Sequence, residues 1–505
     1  MESSIKQLDI FFNPNSVAIV GATKKTNKAG HVILKNFVQN KERGVFRGEI
    51  YPVNPHEDSI LGFKCYPRLT AIPGELELVV IVVPADTVPE VMEDAAAKKV
   101  KAVAIISSGF SEVGKHELEE KIVAIAKEAG IRILGPNCLG VYDSKTGVDM
   151  LFLPETKVLT TGEEVVATPR PMKGNIAMVT QSGAFGVAVL DYMTGRQIGL
   201  SKFVSFGNKC DVNEAEILHY LLYDEETRVI LMYIEDVKNG RAFMEVASEV
   251  TKKKPLIAIK SGRTQAGARA ASSHTGAMVG SDQIYAAVFA QTGILRARDM
   301  EEFLDIAKAL SMQPPARGKN VAIITDAGGA GVMTADECES RGLIVKQFSE
   351  ETLQKFEKLK EDGKLPRFAT NLNPVDITGS ATSEMFEYAT EIVFQDPEIH
   401  GIILLGLHHV PGLQEDYIDK VAQVASNYDK PIVACDIGET EMALYTRSRF
   451  DKLGIPAYAS PEDAARAMSA LVKYGLYLKN NNCLQEYLQS FFREKQENIL
   501  VKTQL

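Results

Sequence analysis

Short apolar runs alternate with amphipathic segments along nearly the whole chain, and no other feature restricts the fold as much. Residues 17–21, 78–83, 102–106 and 131–134 read as buried strands. Residues 88–98 and 117–129 between them have helical periodicity. Strands alternating with helices indicate βαβ units and a parallel sheet. A stretch over 142–173 breaks the pattern with Pro154, Pro169 and Pro171, and reads as a connector with room for a hairpin. A second alternating series follows, with strands at 176–180, 202–205, 229–234 and 256–259. A third begins after residue 318, with strands at 321–325, 401–406 and 431–435, and ends in a polar, helix-prone tail. The second and third series open alike, Gly-Asn-Ile-Ala-Met-Val-Thr-Gln-Ser-Gly from Gly174 and Gly-Lys-Asn-Val-Ala-Ile-Ile-Thr-Asp-Ala-Gly-Gly from Gly318. The 505 residues suit three domains of roughly 150 each. The expectation is an α/β protein of three doubly wound parallel-sheet domains.

Composition narrows the function classes. Acidic residues outnumber basic ones, 66 to 56, for a net charge of -10. That balance argues against a general nucleic-acid or membrane-surface binder, while leaving room for a local basic site for a phosphorylated ligand. The six cysteines are scattered without CxxC spacing, so neither a zinc ribbon nor a disulfide framework is indicated. Reduced thiols and a cytoplasmic location are expected. Residues 1–12 lack the apolar core of a signal peptide. No apolar run approaches the ~20 residues of a membrane span.

Several strand-end loops carry residues suited to chemistry. The loop from Gly21 to Gly30 lies between a strand and a helix-like segment and holds Lys24, Lys25 and Lys28. Helix-start amides and lysines suit phosphate groups, although an exposed lysine-rich turn would look the same. The loop is neither GxGxxG nor a Walker A sequence. The segments at 82–85, 106–110 and 134–140 also fall at strand ends, which a parallel sheet gathers around one crevice. Ser182 and Gly183 stand at a helix start, where free amides and the helix dipole face an anion; an ordinary N-cap serine is the alternative. A GxSxG nucleophile elbow is excluded, because Thr180 and Gln181 precede Ser182.

His274 lies in Ala-Arg-Ala-Ala-Ser-Ser-His-Thr-Gly-Ala over 268–277, after the strand at 256–259. Its neighbours are tiny and polar, with Gly262, Gly267, Gly276 and Gly280 flanking them. A histidine set in such open surroundings is offered as base, ligand or nucleophile. No second histidine or cysteine lies nearby in sequence, so no metal site is expected. Glu235, at the end of the strand at 229–234, is placed to orient the ring and set its tautomer. The pair His408–His409 sits at another loop mouth and has a weaker claim to function.

Seven of these pieces resemble one known family. They are Val-Ala-Ile-Val-Gly-Ala at 17–22, Tyr-Pro-Val-Asn-Pro at 51–55, Gly-Pro-Asn-Cys-Leu-Gly at 135–140 and Gln-Ser-Gly at 181–183, then Ser-Ser-His-Thr-Gly-Ala at 272–277, Asp-Ala-Gly-Gly at 326–329 and Asn-Pro-Val-Asp-Ile-Thr-Gly at 373–379. In this order they resemble the α subunit of ADP-forming acyl-CoA synthetase (acetate–CoA ligase), a relative of succinyl-CoA synthetase, over about residues 8–475. The resemblance implies a Rossmann-like CoA-binding domain at 1–145, a connector at 146–173 and a flavodoxin-like ligase domain with a phosphohistidine loop at 174–300. A second flavodoxin-like domain would occupy 317–475, and a helical tail 476–505.

The resemblance also implies a reaction: acyl-CoA, ADP and phosphate give acid, CoA and ATP, reversibly, through an acyl phosphate and a phosphohistidine. It makes His274 the phosphorylated residue, Glu235 its orienting carboxylate, and Ser182 and Gly183 the phosphate-holding helix start. CoA would lie along Gly21, Thr23, Lys24, Lys25, Pro84, Ser107 and Ser108, with Asn137 near the thioester. Acetate, branched-chain, aryl and hydroxy acids are all handled in this family. Two departures bear on CoA contacts: His56 stands where many relatives carry lysine, and the loop at 24–29 lacks the usual Pro-Gly-Lys. About thirty residues follow Leu476, too few for the ATP-grasp module of fused members. A separate ATP-grasp β subunit is therefore expected to hold ADP/ATP and Mg2+, in a heterotetramer of two α and two β subunits. The competing readings are a non-catalytic CoA-binding or sensing protein, which would need neither His274 nor the 181–183 motif, and a nicotinamide-dependent oxidoreductase, against which the missing GxGxxG counts.

Overall fold

The structure, a computed structural model, describes residues 7–269 and 281–503, with side chains through residue 496. It divides into two compact units, Met1–Arg296 and Ala297–Leu505. Among the described residues the first unit holds two large sheets and two two-stranded ones, and the second holds one large sheet.

The first sheet runs in the order Glu49–Val53, Ser16–Val20, Leu78–Ile81, Ala102–Ile105, Arg132–Leu134, all parallel. The second runs Leu200–Ser205, Lys173–Thr180, Val229–Ile234, Leu256–Lys260, Leu295–Arg296, with Gly140–Asp143 added antiparallel at the Leu200–Ser205 edge. The third runs Ile344–Val345, Asn320–Thr325, Gly401–Leu405, Ile432–Cys435, Ala457–Tyr458, while Val375–Asp376 pairs with the end of Asn320–Thr325. Each sheet therefore places its second parallel strand outside the first and winds the other three away on the far side. This 2-1-3-4-5 order reverses direction beside the first strand, and the reversal opens a crevice at the strand ends. Three sheets share one plan, where the sequence had shown a likeness between only the second and third. Fully buried runs such as Leu-Val-Val-Ile at 78–81 follow from helices covering both faces of a parallel sheet.

The strand at Glu49–Val53 escaped the sequence reading because Pro52 lies inside it. An edge strand tolerates proline, since its missing N–H can face outward. The strands at 295–296, 344–345 and 457–458 are two residues long and leave no periodic signal. The connector does hold a hairpin, Thr156–Val158 against Glu164–Val166. It is pinned by Arg170, whose guanidinium meets the buried Asp149 carboxylate at 2.8 Å.

Inside the first unit the two sheets are bound together. Arg132, at the start of a first-sheet strand, reaches Asp211 at 2.9 Å and Glu216 at 2.8 Å. Phe12 stacks on Tyr220 with centroids 4.5 Å apart. Within the second sheet, Lys202 is buried between Asp143 at 3.0 Å and Asp224 at 2.9 Å. Among the described residues, no helix is long and apolar enough to cross a membrane.

Candidate active site

The strand Ser16–Val20 ends at Gly21, whose φ of +93° suits only glycine. A Cβ there would lie 2.6 Å from the Val82 carbonyl oxygen. The following helix, Ala29–Glu42, presses its start against this turn: a Cβ on Gly30 would sit 2.1 Å from the Gly21 oxygen. Gly30→Ala is thus expected to force the helix start away and destabilise the first unit by about 1–3 kcal/mol. Urea unfolding measures this, and an unchanged midpoint would mean that the helix start retreats freely.

The predicted loop residues line the ends of these strands. Lys24 is committed to Glu57 at 2.7 Å, and that partner lifts its ammonium above the usual lysine range. Lys25 and Lys28 are exposed and carry no ion pair among the described residues. The Thr23 carbonyl meets His31 Nδ1 at 2.8 Å, tying the loop to the helix. His56 is exposed; Asn54 anchors its turn by accepting from the His56 N–H at 2.9 Å and donating to the Ala22 carbonyl at 2.8 Å. Pro84 precedes the short 3-10 helix Ala85–Thr87. Ser107 donates its hydroxyl to the Val83 carbonyl, and its own carbonyl accepts from Asn137 N at 2.9 Å. Ser108 and Asn137 are exposed beside it, Asn137 with φ of +58°.

The loop at 135–140 links this crevice to the second sheet. The Pro136 carbonyl accepts from Asn208 N at 2.9 Å, and Asn208 donates to Glu112 at 2.6 Å and Glu119 at 3.0 Å. A Cβ on Gly207 would strike the Pro136 and Asn137 carbonyl oxygens at 2.2 and 2.3 Å, so the two loops run in close contact. Leu139 donates its N–H to Ser205 Oγ at 3.1 Å and packs its side chain against Gly183. Asn137 and the Ser182–Gly183 helix start are thus carried on touching segments of one unit. Burial pushes the neighbouring Cys138 thiol up to about 12, which makes it inert as a nucleophile.

Ser182 caps the helix Gly183–Gly195, its hydroxyl accepting from Phe185 N at 3.4 Å. The hydroxyl of Thr180, at the end of the preceding strand, closes the turn: it accepts from Ser182 N at 3.1 Å and donates to the Ser182 carbonyl at 2.8 Å. Gly183 and Ala184, as first helical residues, have amides with no partner inside the helix. Across the crevice, Val229–Ile234 ends in half-buried Glu235. Gln181 joins the two sides: its Oε1 accepts from Glu235 N at 2.6 Å and Asp236 N at 3.1 Å, while Nε2 donates to Asp236 Oδ1 at 2.7 Å.

Two buried lysines complete the surroundings. Lys209 donates to the Asp236 carbonyl at 2.7 Å and pairs with Glu214 at 3.1 Å. Lys260, 2% exposed, lies with its ammonium over the Tyr285 ring and against the Ser261 carbonyl. Burial lowers its pKa, opposed by Asp282, Asp236 and Glu235. Gln181, Lys209 and Lys260 were not singled out by the sequence reading; Gln181 and Lys209 meet Asp236 in a loop beyond another strand, Lys260 meets Tyr285 on a later helix, and only the Gln181 position, inside a quoted motif, offered a signal. His274 lies outside the described residues. Lys260 and Asp282 are the last strand residue before its loop and the first helix residue after it.

The second unit repeats this turn. Thr325 Oγ1 accepts from Ala327 N at 3.0 Å and donates to its carbonyl at 3.1 Å, as Thr180 does for Ser182. Asp326, at the position of Gln181, accepts from Leu407 N at 3.0 Å beyond the neighbouring strand. Burial raises its carboxyl to about 7, with Asp436 and Asp376 adding to the shift. His408 is held between Asp436 at 2.7 Å and Thr440 at 3.1 Å. Asn373 pins the sheet, accepting from Ile323 N at 2.9 Å and donating to the Val321 carbonyl at 2.8 Å.

Three family models cover this architecture in order. Residues 15–144 match a CoA binding domain, 173–310 a succinyl-CoA ligase like flavodoxin domain, and 321–475 a Ligase-CoA domain. Fold and crevices thus define a protein of the CoA-ligase class. The chain is 42% identical over 475 residues to the acetate–CoA ligase [ADP-forming] I subunit alpha of Pyrococcus furiosus, covering 92% of this chain and 97% of that one. It is 39% identical to the acetate–CoA ligase [ADP-forming] of Methanocaldococcus jannaschii, covering 95% of this chain but 65% of that longer one. A solved acetyl-coenzyme A synthetase 1 of Ca. Korarchaeum cryptofilum, described as dinucleotide forming and in complex with phosphate and ADP, superposes with a TM-score of 0.84 at 35% identity, over 96% of this chain and 98% of that one. The chain belongs to the ADP-forming acetate–CoA ligase family.

Proposed function

We propose that the chain is the α subunit of an ADP-forming acid–CoA ligase, which converts acyl-CoA, ADP and phosphate to acid, CoA and ATP, reversibly. One observation carries the reading: the loop bearing Asn137 packs through Leu139 on the helix start at Ser182–Gly183, opposite Glu235. A thioester presented by the first crevice would reach a phosphate held at that helix start.

CoA is assigned to Gly21, Thr23, Lys25, Pro84, Ser107 and Ser108, with Asn137 at the thioester end. Lys24 joins that set only by exchanging Glu57 for a phosphate. Exposed lysines without carboxylate partners suit pyrophosphate, and tight glycine turns admit it closely. Phosphate is assigned to the Gly183 and Ala184 amides, where charge is compensated by fixed dipoles. A phosphate oxygen attacks the thioester carbonyl, the C–S bond breaks, and CoA leaves as its thiol. His274 then attacks phosphorus, the P–O bond to the acyl group breaks, and the acid leaves as carboxylate. Glu235 orients the ring so that one nitrogen stays unprotonated for this attack. ADP accepts the phosphoryl group from His274. Positioning and charge compensation carry most of such a transfer.

The adenine nucleotide and Mg2+ are assigned to an ATP-grasp β subunit in the cytoplasm, in an α2β2 assembly. In support, the P. furiosus relative, matched over 97% of its length, is named a subunit alpha. The test mixes the chain with its ATP-grasp partner, acetyl-CoA, ADP and phosphate. ATP should form only with both polypeptides, and CoA but not ADP should raise the melting temperature of the chain alone. Stabilisation by ADP alone would overturn the division of labour.

A further inference from the structure

We infer that Gln181 is a positioning residue, whose carboxamide locks the Glu235–Asp236 turn to the phosphate-holding helix start. The inference rests on the reading above and names the part that keeps its two halves in one geometry. Gln181 stands between Thr180, which closes the turn, and Ser182, which caps the helix. One carboxamide oxygen accepts from two consecutive amides, Glu235 N and Asp236 N, and the carboxamide nitrogen donates to the Asp236 carboxylate. Lys209 also holds Asp236, through the carbonyl at 2.7 Å and the same Oδ1 at 3.2 Å. With both neighbouring amides and the next side chain anchored, the Glu235 Cα has little room to shift. Its carboxylate is thus kept in register with the Ser182 helix start.

The chemistry at position 181 is specific to a carboxamide. The site needs an acceptor for two N–H groups and a donor for a carboxylate within one side chain. Glutamate keeps the acceptor but sets a second negative charge beside Asp236. Methionine leaves both amides unsatisfied and Asp236 Oδ1 with Lys209 alone, which a half-buried site resists. The second unit uses the same position for the same task, with Asp326 accepting from Leu407 N.

The test uses the full chain with its ATP-grasp partner, labelled phosphate and acetyl-CoA, and reads acid-labile label on His274. Q181M is expected to slow labelling about 100-fold with CoA affinity unchanged, the scale of a roughly 1 Å misplacement. Q181E separates positioning from mere folding. At pH 8 two facing carboxylates should repel and labelling should fall similarly. As pH drops towards 5.5 a shared proton restores a donor to Asp236, and the ratio to wild type should climb at least about tenfold. The groups facing Asp236 are Lys209, itself paired with Glu214, together with Glu235, Lys260 and Tyr285. All remain in both proteins, so the ratio isolates residue 181. Labelled wild type with undiminished Q181M, or a Q181E loss that ignores pH, would overturn the inference alone. Should Q181M fail to fold, the Q181E profile decides. An unlabelled wild type would overturn the parent reading as well.

Discussion

His274→Asn is expected to abolish ATP formation, a loss of about 1,000-fold or more, since removing a nucleophile eliminates the covalent route. Asparagine keeps a polar side chain of similar reach, so the loop loses its phosphoryl acceptor and little else. CoA should bind the variant as tightly as wild type, because the first crevice lies on other loops. The acyl phosphate should still form and, lacking an acceptor, should be trapped by hydroxylamine as a hydroxamate. No acid-labile phosphate should appear on the protein. ATP production at the wild-type rate would remove His274 from the route and the proposed function with it.

Lys202→Met should give the largest loss of stability. The Lys202 side chain is 4% exposed and lies between Asp143 and Asp224, themselves 1% and 10% exposed. Burial works against its charge, yet the two carboxylates outweigh it and raise its pKa above the usual lysine range. Methionine would fill the space and leave two buried carboxylates without a cation. Breaking such a cluster from one side costs about 3–5 kcal/mol, because the remaining charges stay desolvated. The exposed pair Lys145–Glu226 is the control; removing that lysine should cost at most about 1 kcal/mol. The unpaired carboxylates of K202M would have raised native pKa values. Their penalty is absent below the unfolded carboxylate pKa and grows as pH rises through that range. The gap between K202M and wild type in urea unfolding should therefore be narrower at pH 5 than at pH 8. A loss below about 1 kcal/mol would show the cluster to be relaxed by water.

The strands were legible where burial on both faces made them continuous apolar runs. Residues 229–234 were read to the residue, and most of the others to within one or two. The edge strands at 49–53, 295–296, 344–345 and 457–458 were not, because they are short or interrupted: Pro52 is allowed only where no further strand needs its N–H. The site was half legible. Ser182 and Glu235 carry their own signals, a cap before a helix and an acid after a strand. Gln181 offered only its place in the 181–183 motif, and Lys209 and Lys260 offered nothing, since such polar residues acquire meaning only from what they meet. Lys24 shows the reverse: a cation counted towards a phosphate site proves to be held by Glu57.

By itself the amino-acid order determined the alternation of strand and helix, the glycine at position 21 and the helix start at Ser182–Gly183. These are local properties, set by side-chain size, backbone freedom and periodicity. Only the tertiary structure decided that all three sheets share one strand order, that the loop of Asn137 abuts the helix start, and that Asp236 is gripped by both Gln181 and Lys209. Those facts concern groups tens of residues apart. Hydrogen bonds and ion pairs act over a few ångströms, so which groups meet is settled by how the chain packs.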